Sequence, residues 1–218
     1  MIDPSLLLTY TLIVLGFVFI PGPATLLTVA RATTSGTKVG IATGAGITAG
    51  DVLHTMMAVI GISAIIAASA TLFTIVKYLG AAYLVYLGLR AIFDRSPVDL
   101  GQGRLPITAT QAFRQAILAE LLNPKTALFF LAFLPQFVVP ENGWVVLQLI
   151  VLGVIFSLVG FLSTIVYSIA AGRLGQTLRR NPSVLRWQGK VVGGIYCALG
   201  ARLALDTTHH LRSEEQHV

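Results

Sequence analysis

The sequence predicts an all-α integral membrane protein with six transmembrane helices, arranged as two inverted three-helix repeats in which helices 1 and 4 are broken. Composition, long apolar segments and two proline-containing breaks lead to this fold class. Of the 218 residues, 55% are hydrophobic and 11% charged, and the mean hydropathy is +0.81. A soluble domain carries about 25% charged residues. The apolar segments hold roughly 20 residues or more, which is enough to cross the hydrocarbon core as a helix.

Three spans are predicted in the first half of the chain, over about residues 6–30, 39–67 and 72–93. The first apolar run has no basic residues before it and meets Pro21-Gly22-Pro23 instead of a small-residue cleavage site. We therefore interpret it as a span and not as a cleaved signal peptide.

The second span begins with glycines at two four-residue spacings, Gly40/Gly44 and Gly46/Gly50. This spacing places the glycines on one side of a helix and lets another helix backbone approach closely. The pattern predicts helix packing at the start of the second span.

A long polar connection over residues 94–111 separates the two halves. Three further spans follow, over about residues 112–138, 144–171 and 191–205, with a basic loop over 173–190 between the last two. The predicted organisation is a first repeat over 1–95, a cytoplasmic linker over 96–111, a second repeat over 112–206 and a disordered tail over 207–218.

The basic residues are distributed unevenly between the two sides of these spans. Eleven of the fifteen Lys and Arg residues fall beside the loops after spans one, three and five: Arg31, Lys38, Arg90, Arg95, Arg104, Arg114, Arg173, Arg179, Arg180, Arg186 and Lys190. Cytoplasmic loops carry this excess, so both termini are predicted on the periplasmic side. The net charge of +6 thus reflects topology and gives no indication of nucleic-acid binding.

Two pairs of similar segments indicate an internal repeat. Gly22-Pro23-x-Thr25 matches Asn123-Pro124-x-Thr126 at a shift of 101 residues, and the segment from Lys77 to Arg90 resembles that from Lys190 to Arg202. Since each repeat holds three spans, an odd number, the copies would cross the membrane in opposite directions.

Both predicted breaks contain proline. Pro124 has no N–H and disfavours helical geometry at Asn123, and Pro21 and Pro23 do the same in the first span. A break inside the membrane exposes backbone groups that cost several kcal/mol when unpaired. Broken helices at corresponding positions of two halves are typical of transporter binding sites, so we predict a site near the bilayer midplane where the breaks meet.

The motifs together resemble those of the LysE/RhtB family of amino-acid exporters. They are Pro21-Gly22-Pro23, the glycine-rich second span, the segment from Lys77 to Leu84, Leu122-Asn123-Pro124-Lys125, Phe129-Phe130 and Pro135-Gln136-Phe137. The resemblance implies export of an amino acid or a close derivative driven by the proton-motive force, in a bacterial inner membrane. Glu120 departs from the uncharged residue expected there, which favours a cationic substrate or a role in proton coupling.

The leading candidate site residues are three charged side chains in apolar segments. Lys125 is placed to hold a substrate carboxylate, or else to neutralise an acid in the membrane when the site is empty. Asp51 could take a proton, bind an ammonium or pair with Lys125, since an intramembrane carboxylate is a functional hypothesis by default. Glu120 precedes Lys125 by one and a half turns, so an unbroken helix would point the two side chains apart.

Further candidates are polar residues near these spans. His54 follows Asp51 by three residues and so shares its helix face; it is either a proton relay or a hydrogen-bonded core residue. Tyr83 and Tyr196 would reach the site or anchor at the interface. Gln136 and Thr25 are polar contacts, and the alternative for Thr25 is a hydrogen bond to its own helix.

Other classes of protein are weaker interpretations. A divalent-cation transporter would use Asp51 and His54, but Lys125 would repel its cargo and the ligand set is small. An enzyme would need a catalytic motif, and none is found. We expect a small zwitterionic amino acid, protons and the lipid bilayer as partners, no nucleic acid and no cofactor, while a homo-oligomer is left open.

Overall fold

The computed structural model describes residues 2–19, 22–68 and 106–180, together with residues 75, 78, 82, 85, 86, 89 and 93. Every regular element in these residues is helical, as the sequence predicts. Pro21, Tyr83, Tyr196, the sixth span, the tail and most of the third span lie outside the described residues.

The first predicted span consists of two helices. Helix α1 (Pro4–Val18) begins after Asp3, whose carboxylate accepts a hydrogen bond from the Ser5 amide at 2.8 Å. Helix α2 (Pro23–Ser35) begins with proline, which fits the first position because no helical acceptor is available there for an N–H. The two helix axes differ by 52°.

Helix α3 (Thr37–Ala68) follows the single residue Gly36, whose φ of 92° suits glycine. Helix α4 (Ala109–Leu121) begins with a capping box between Thr108 and Gln111. This cap starts the helix three residues before the predicted fourth span, inside the stretch predicted as linker.

The fourth span also bends at its proline. Asn123 caps the short helix α5 (Pro124–Leu128), and a π-helical turn (Phe129–Phe133) and a 3₁₀ turn (Leu134–Phe137) continue it. The segment Pro124–Phe137 lies at 48° to α4. After a second 3₁₀ turn (Pro140–Asn142), helix α6 (Val145–Arg180) continues nine residues beyond the predicted end of the fifth span. The start of the predicted basic loop is therefore helical, and this part includes several good helix formers, leucine and arginine among them.

Contacts between the helices fix their directions. Helices α3 and α6 are antiparallel, because Gly40 faces Ser168 and Thr55 faces Gly153. Helix α3 runs parallel to α4, because Gly46 faces Ala116 and Gly50 faces Glu120. Helix α1 runs parallel to α6, with Tyr10 bonded to Leu152 and Phe19 bonded to Tyr167. These directions agree with the alternation expected for spans one, two, four and five.

The glycine spacings of the second span do mark close helix contacts. Cβ atoms built on Gly40 and Gly44 would lie 2.8 Å from Ser168 Oγ and 2.2 Å from Thr164 Oγ1 of α6. Gly46 and Gly50 instead face α4. The two spacings therefore bring α3 against two different neighbours, and α3 becomes the central helix of the described bundle.

An aromatic core fills one end of the bundle. It includes the buried rings of Tyr10, Phe17, Phe129, Phe130, Phe133, Phe137 and Phe156. By length and apolar composition, the segment Val145–Arg173 of α6 can cross a membrane. Two bent pairs of segments, α1 with α2 and α4 with Pro124–Phe137, would each be a further span if each pair is one broken crossing.

Candidate functional site

The last turn of α1 has a backbone carbonyl that lacks its usual α-helical donor. The Phe17 oxygen would normally accept from the amide of residue 21, but Pro21 has no N–H. Lys125 of α5 donates to this oxygen from its Nζ at 3.3 Å. The same Nζ lies 4.2 Å from the centroid of the Phe17 ring. Lys125 therefore binds the end of α1 through both a carbonyl and an aromatic face.

The other two prolines of the breaks free carbonyls in the same way. Pro23 leaves Phe19 without its helical donor, and the Tyr167 hydroxyl donates to the Phe19 oxygen at 2.8 Å. Pro124 likewise removes the α-helical donor to Glu120, whose carbonyl oxygen accepts from the Asn123 amide at 3.0 Å and lies 3.0 Å from His54 Nε2. Each of the three prolines thus removes one α-helical donor, and a side chain from another helix contacts each of the three carbonyls.

The contact with a carbonyl assigns the proton on His54. Because a carbonyl oxygen only accepts, Nε2 must carry the hydrogen. The His54 ring also stacks on Phe130, with centroids 5.8 Å apart and an interplanar angle of 21°. His54 is thereby fixed as a donor to the broken helix.

The Glu120 carboxylate spans the break between α4 and α5. Both of its oxygens accept from Asn123 Nδ2 at 3.2 Å, and the Thr126 hydroxyl donates to one of them. Asn123 Oδ1 accepts from the Lys125 amide at 3.1 Å. The Asn123 side chain therefore bonds both sides of the break, the Glu120 carboxylate of α4 and the Lys125 amide of α5.

A small buried cavity of about 50 Å³ lies between the two breaks. Its walls come from α1, α2, α3, α4, α5 and α6: Phe17, Val18, Gly22, Ala24, Thr25, Ile47, Asp51, Glu120, Asn123, Lys125, Thr126, Phe156, Gly160, Ser163 and Thr164. A site of this size has room for water but is far below the roughly 300 Å³ of small ligand pockets.

Asp51 has a carboxylate oxygen without a hydrogen bond in the described part of the chain. Its side chain is 2% exposed, and Oδ1 has no hydrogen-bond partner among the described residues, while Oδ2 lies 3.5 Å from a Cβ built on Gly160. Asp51, Glu120 and Lys125 interact electrostatically within the cavity. The cavity therefore holds buried charges of both signs.

The N-terminus of α2 adds positive electrostatic potential to the cavity. Gly22 caps this helix, and the amides of its first turn have no acceptor inside the helix. The aligned peptide dipoles place partial positive charge at this end. Ala24 and Thr25, both in the first turn, line the cavity.

The structure brings most of the sequence candidates together. Gly22, Thr25, Asp51, Glu120, Asn123 and Lys125 line the cavity, and Pro23 and Pro124 begin the two half-helices beside it. His54 contacts the site through Glu120 and does not line the cavity. Gln136 does not line the cavity and instead donates to the Ala132 carbonyl of its own segment at 2.6 Å.

Several site residues escaped sequence reasoning. Phe17 and Glu120 are the acceptors that Pro21 and Pro124 free, so counting four residues back from each proline would have found both carbonyls. Thr126 is part of the repeated motif but was not singled out as a site residue. Gly160, Ser163 and Thr164 carry no local signal, because their place depends on the register between α6 and α3.

The fold and the cavity define a class of protein: a helical membrane protein with a buried, charged site between broken helices. Comparison with known proteins places the chain within this class. The LysE type translocator profile matches residues 15–207, and the chain belongs to that family. Members of this family are transporters and not enzymes, so a small-molecule substrate and membrane lipid are its expected contacts.

Individual relatives cover nearly the same length. The chain is 31% identical over 203 residues to an uncharacterised membrane protein of Vibrio cholerae, covering 93% of this chain and 98% of the relative. It is 34% identical over 206 residues to an uncharacterised membrane protein of Pseudomonas aeruginosa, covering 91% and 94%. A Bacillus subtilis membrane protein is 38% identical over 165 residues. No solved structure gives a significant match.

Proposed function

We propose that this translocator exports a small amino acid, or a close derivative, from the cytoplasm in exchange for protons. The observation that carries the proposal is that Lys125 and Asp51, with its open oxygen, line the same buried cavity. A zwitterion needs an anion and a cation at short range, and buried charges persist only where they gain such partners.

Each end of a zwitterion would meet a suitable partner. Its carboxylate would contact Lys125 and the first-turn amides of α2, since helix N-termini attract anions. Its ammonium would contact Asp51, whose Oδ1 lacks a partner. Thr25 and Asn123 are further polar residues for orienting the solute.

The cavity is also suited to alternating access. Its walls combine α1–α3 with α4–α6, which correspond to the proposed repeats over 1–95 and 112–206, joined by a cytoplasmic linker over 96–111. Rocking one half against the other would enlarge a cavity that is now too small for an amino acid. The equivalent positions of Gly22-Pro23 and Asn123-Pro124, both beside the cavity, support an inverted repeat.

Proton coupling would use the buried carboxylates. Among the described residues that line the cavity, Asp51 and Glu120 are accompanied by one lysine, so protonation of one acid would remove a net buried charge as the carrier changes state. Asp51 is the stronger candidate, because Asn123 and Thr126 already occupy the Glu120 carboxylate.

Export, rather than uptake, follows from the resemblance. The resemblance also implies a bacterial inner membrane, and the charge bias favours both termini in the periplasm. A divalent cation remains the alternative cargo, although an ammonium in the cavity would repel it.

Efflux from proteoliposomes tests this function. Vesicles containing the purified protein are loaded in turn with each of the twenty amino acids and homoserine, with and without a pH gradient, and protein-free vesicles give the leak rate. We expect at least one solute to leave faster with the protein present, and faster still when the gradient drives protons inward. Failure of every solute to leave, together with efflux of loaded Mn²⁺, would favour the cation transporter instead.

A further inference from the structure

The Lys125 ammonium occupies a position whose chemistry suits any primary ammonium. The Phe17 ring centroid lies 4.2 Å from Nζ and the Phe17 carbonyl oxygen lies 3.3 Å away. An aromatic face and a carbonyl oxygen both attract a cation. Pro21 supplies no helical donor to this oxygen, and a carbonyl oxygen has two lone pairs, so it can accept from an ammonium beside its contact with the Phe19 amide.

We propose that the ring and carbonyl oxygen of Phe17 form an ammonium-binding subsite, which Lys125 occupies in the empty carrier and which the amino group of a transported solute takes over. The takeover rests on the proposed function, whereas the existence of the subsite does not. Lys125 would thus act as a tethered stand-in for the solute's amino group.

The Lys125 side chain packs closely against Gly22. A Cβ on Gly22 would lie only 3.2 Å from Lys125 Cδ and Nζ, so glycine at this position makes space for the lysine stem. The four-carbon stem carries a compact ammonium on rotatable bonds. Gly22 therefore leaves the space that the lysine needs to reach Phe17.

A second partner is available when the lysine is displaced. Asp51 lines the same cavity and has an unpartnered oxygen, and the two charges already interact. When the solute's ammonium reaches Phe17, Lys125 would turn toward Asp51 or toward the solute's carboxylate. The buried ammonium and the freed carbonyl would keep partners throughout the exchange, as their burial in lipid requires.

This arrangement predicts which solutes bind. A compound with an ammonium group can replace Lys125 at Phe17, but the same compound without its amino group cannot. Carboxylic acids that match an exported amino acid in size should therefore compete poorly.

Chemical rescue of a vacated subsite tests the inference independently of transport. Lys125→Ala removes the tethered ammonium, and n-butylammonium chloride is the probe that replaces it. Thermal unfolding of the full chain in lipid nanodiscs is followed with the probe, with n-butanol or with sodium chloride. We expect millimolar butylammonium to raise the melting temperature of Lys125→Ala by roughly 2–4 °C. Wild-type protein should respond less, because the probe must first displace Lys125.

Two further backgrounds identify where the probe binds. The double variant Phe17→Leu/Lys125→Ala should lose most of the response, since leucine has no aromatic face. Phe133→Leu/Lys125→Ala is the matched control, because Phe133 is a buried ring of the same core that does not line the cavity. An equal response in the Phe17→Leu background, or an equal response to n-butanol, would overturn the subsite.

Transport measurements test the takeover. For the amino acid found by the efflux screen, Phe17→Leu should raise the half-saturating concentration roughly tenfold, the scale of a desolvated cation–π contact. Phe133→Leu should change it less than twofold. If wild-type protein exports the solute and Phe17→Leu has normal affinity for it, the takeover is refuted. If wild-type protein exports no solute, only the proposed function is refuted. If Lys125→Ala does not fold even with butylammonium, this comparison decides the inference.

Discussion

The Lys125 ammonium lies 3.3 Å from the carbonyl oxygen of Phe17, a residue 108 positions earlier in the chain. This contact joins the start of one half-helix, α5, to the end of another, α1. Since Pro21 cannot donate to that oxygen, the lysine completes the last turn of α1. One side chain therefore serves both the stability of the break and the charge of the cavity.

Lys125→Ala is expected to abolish export without preventing membrane insertion. The change removes the cation of the cavity and leaves the Phe17 oxygen without its lysine donor, a loss of about 1–3 kcal/mol for a buried acceptor. Efflux of the screened solute should fall at least tenfold. Lys38→Ala is the control, because Lys38 is exposed at the start of α3. Efflux like that of wild type from Lys125→Ala would remove this lysine from the site.

His54 is expected to stabilise the second break. His54→Leu removes one of two donors to the Glu120 carbonyl, the other being the Asn123 amide, and should lower the free energy of unfolding by about 0.5–1.5 kcal/mol. His54→Gln keeps a donor and should recover part of that loss. Chemical unfolding in mixed micelles measures both variants. If His54 instead relays protons, the pH dependence of export would disappear in His54→Gln even where stability is retained.

Two tyrosine variants compare the cost of removing a side-chain donor from two kinds of carbonyl: one that proline deprives of its helical donor, and one that keeps that donor. Tyr167→Phe removes the donor to Phe19, whose helical partner would be Pro23, and should cost about 1–3 kcal/mol. Tyr10→Phe removes a donor to Leu152, whose oxygen lies inside α6 and keeps a helical partner. We therefore expect a smaller loss for Tyr10→Phe. Equal losses in unfolding experiments would show that the freed carbonyl has no special cost.

The close contact between α3 and α4 predicts different responses from two glycines of one helix. A Cβ on Gly46 would lie 2.3 Å from the Phe113 backbone oxygen, so Gly46→Ala must push α4 away. Overpacking of this kind costs about 1–3 kcal/mol. Among the described residues, no neighbour comes within 4 Å of a Cβ built on Gly61, and Gly61→Ala should be neutral or stabilise α3 by up to about 1 kcal/mol. Unfolding of both variants under the same conditions checks the contrast.

Much of the described fold follows from local rules in the sequence. Long apolar runs locate the helices, Pro23 and Pro124 mark where two of them start again, and the glycine spacings of α3 mark its close contacts. These features depend on residues near one another in the chain. Local chemistry is sufficient to predict them.

The site itself depends on contacts that no local pattern encodes. On an unbroken helix Glu120 and Lys125 would point apart, but the bend at Asn123 brings both to one cavity. From the sequence, an acid or a substrate carboxylate was the predicted partner of Lys125, whereas in the structure Lys125 contacts the backbone carbonyl and the ring of Phe17. Such pairings depend on how α1 and α5 meet, which only the packed bundle determines.

Asp51→Asn is expected to uncouple export from the pH gradient. The amide keeps the size of the side chain and its place against Gly160, but it can neither take up a proton nor attract an ammonium as a carboxylate does. Proton-driven efflux should fall toward the rate seen without a gradient, while the melting temperature changes little. Glu141→Gln is the control, since Glu141 is exposed in the turn before α6. An unchanged pH dependence of solute counterflow in Asp51→Asn would exclude Asp51 from coupling and would shift that role to Glu120, the other buried acid of the cavity.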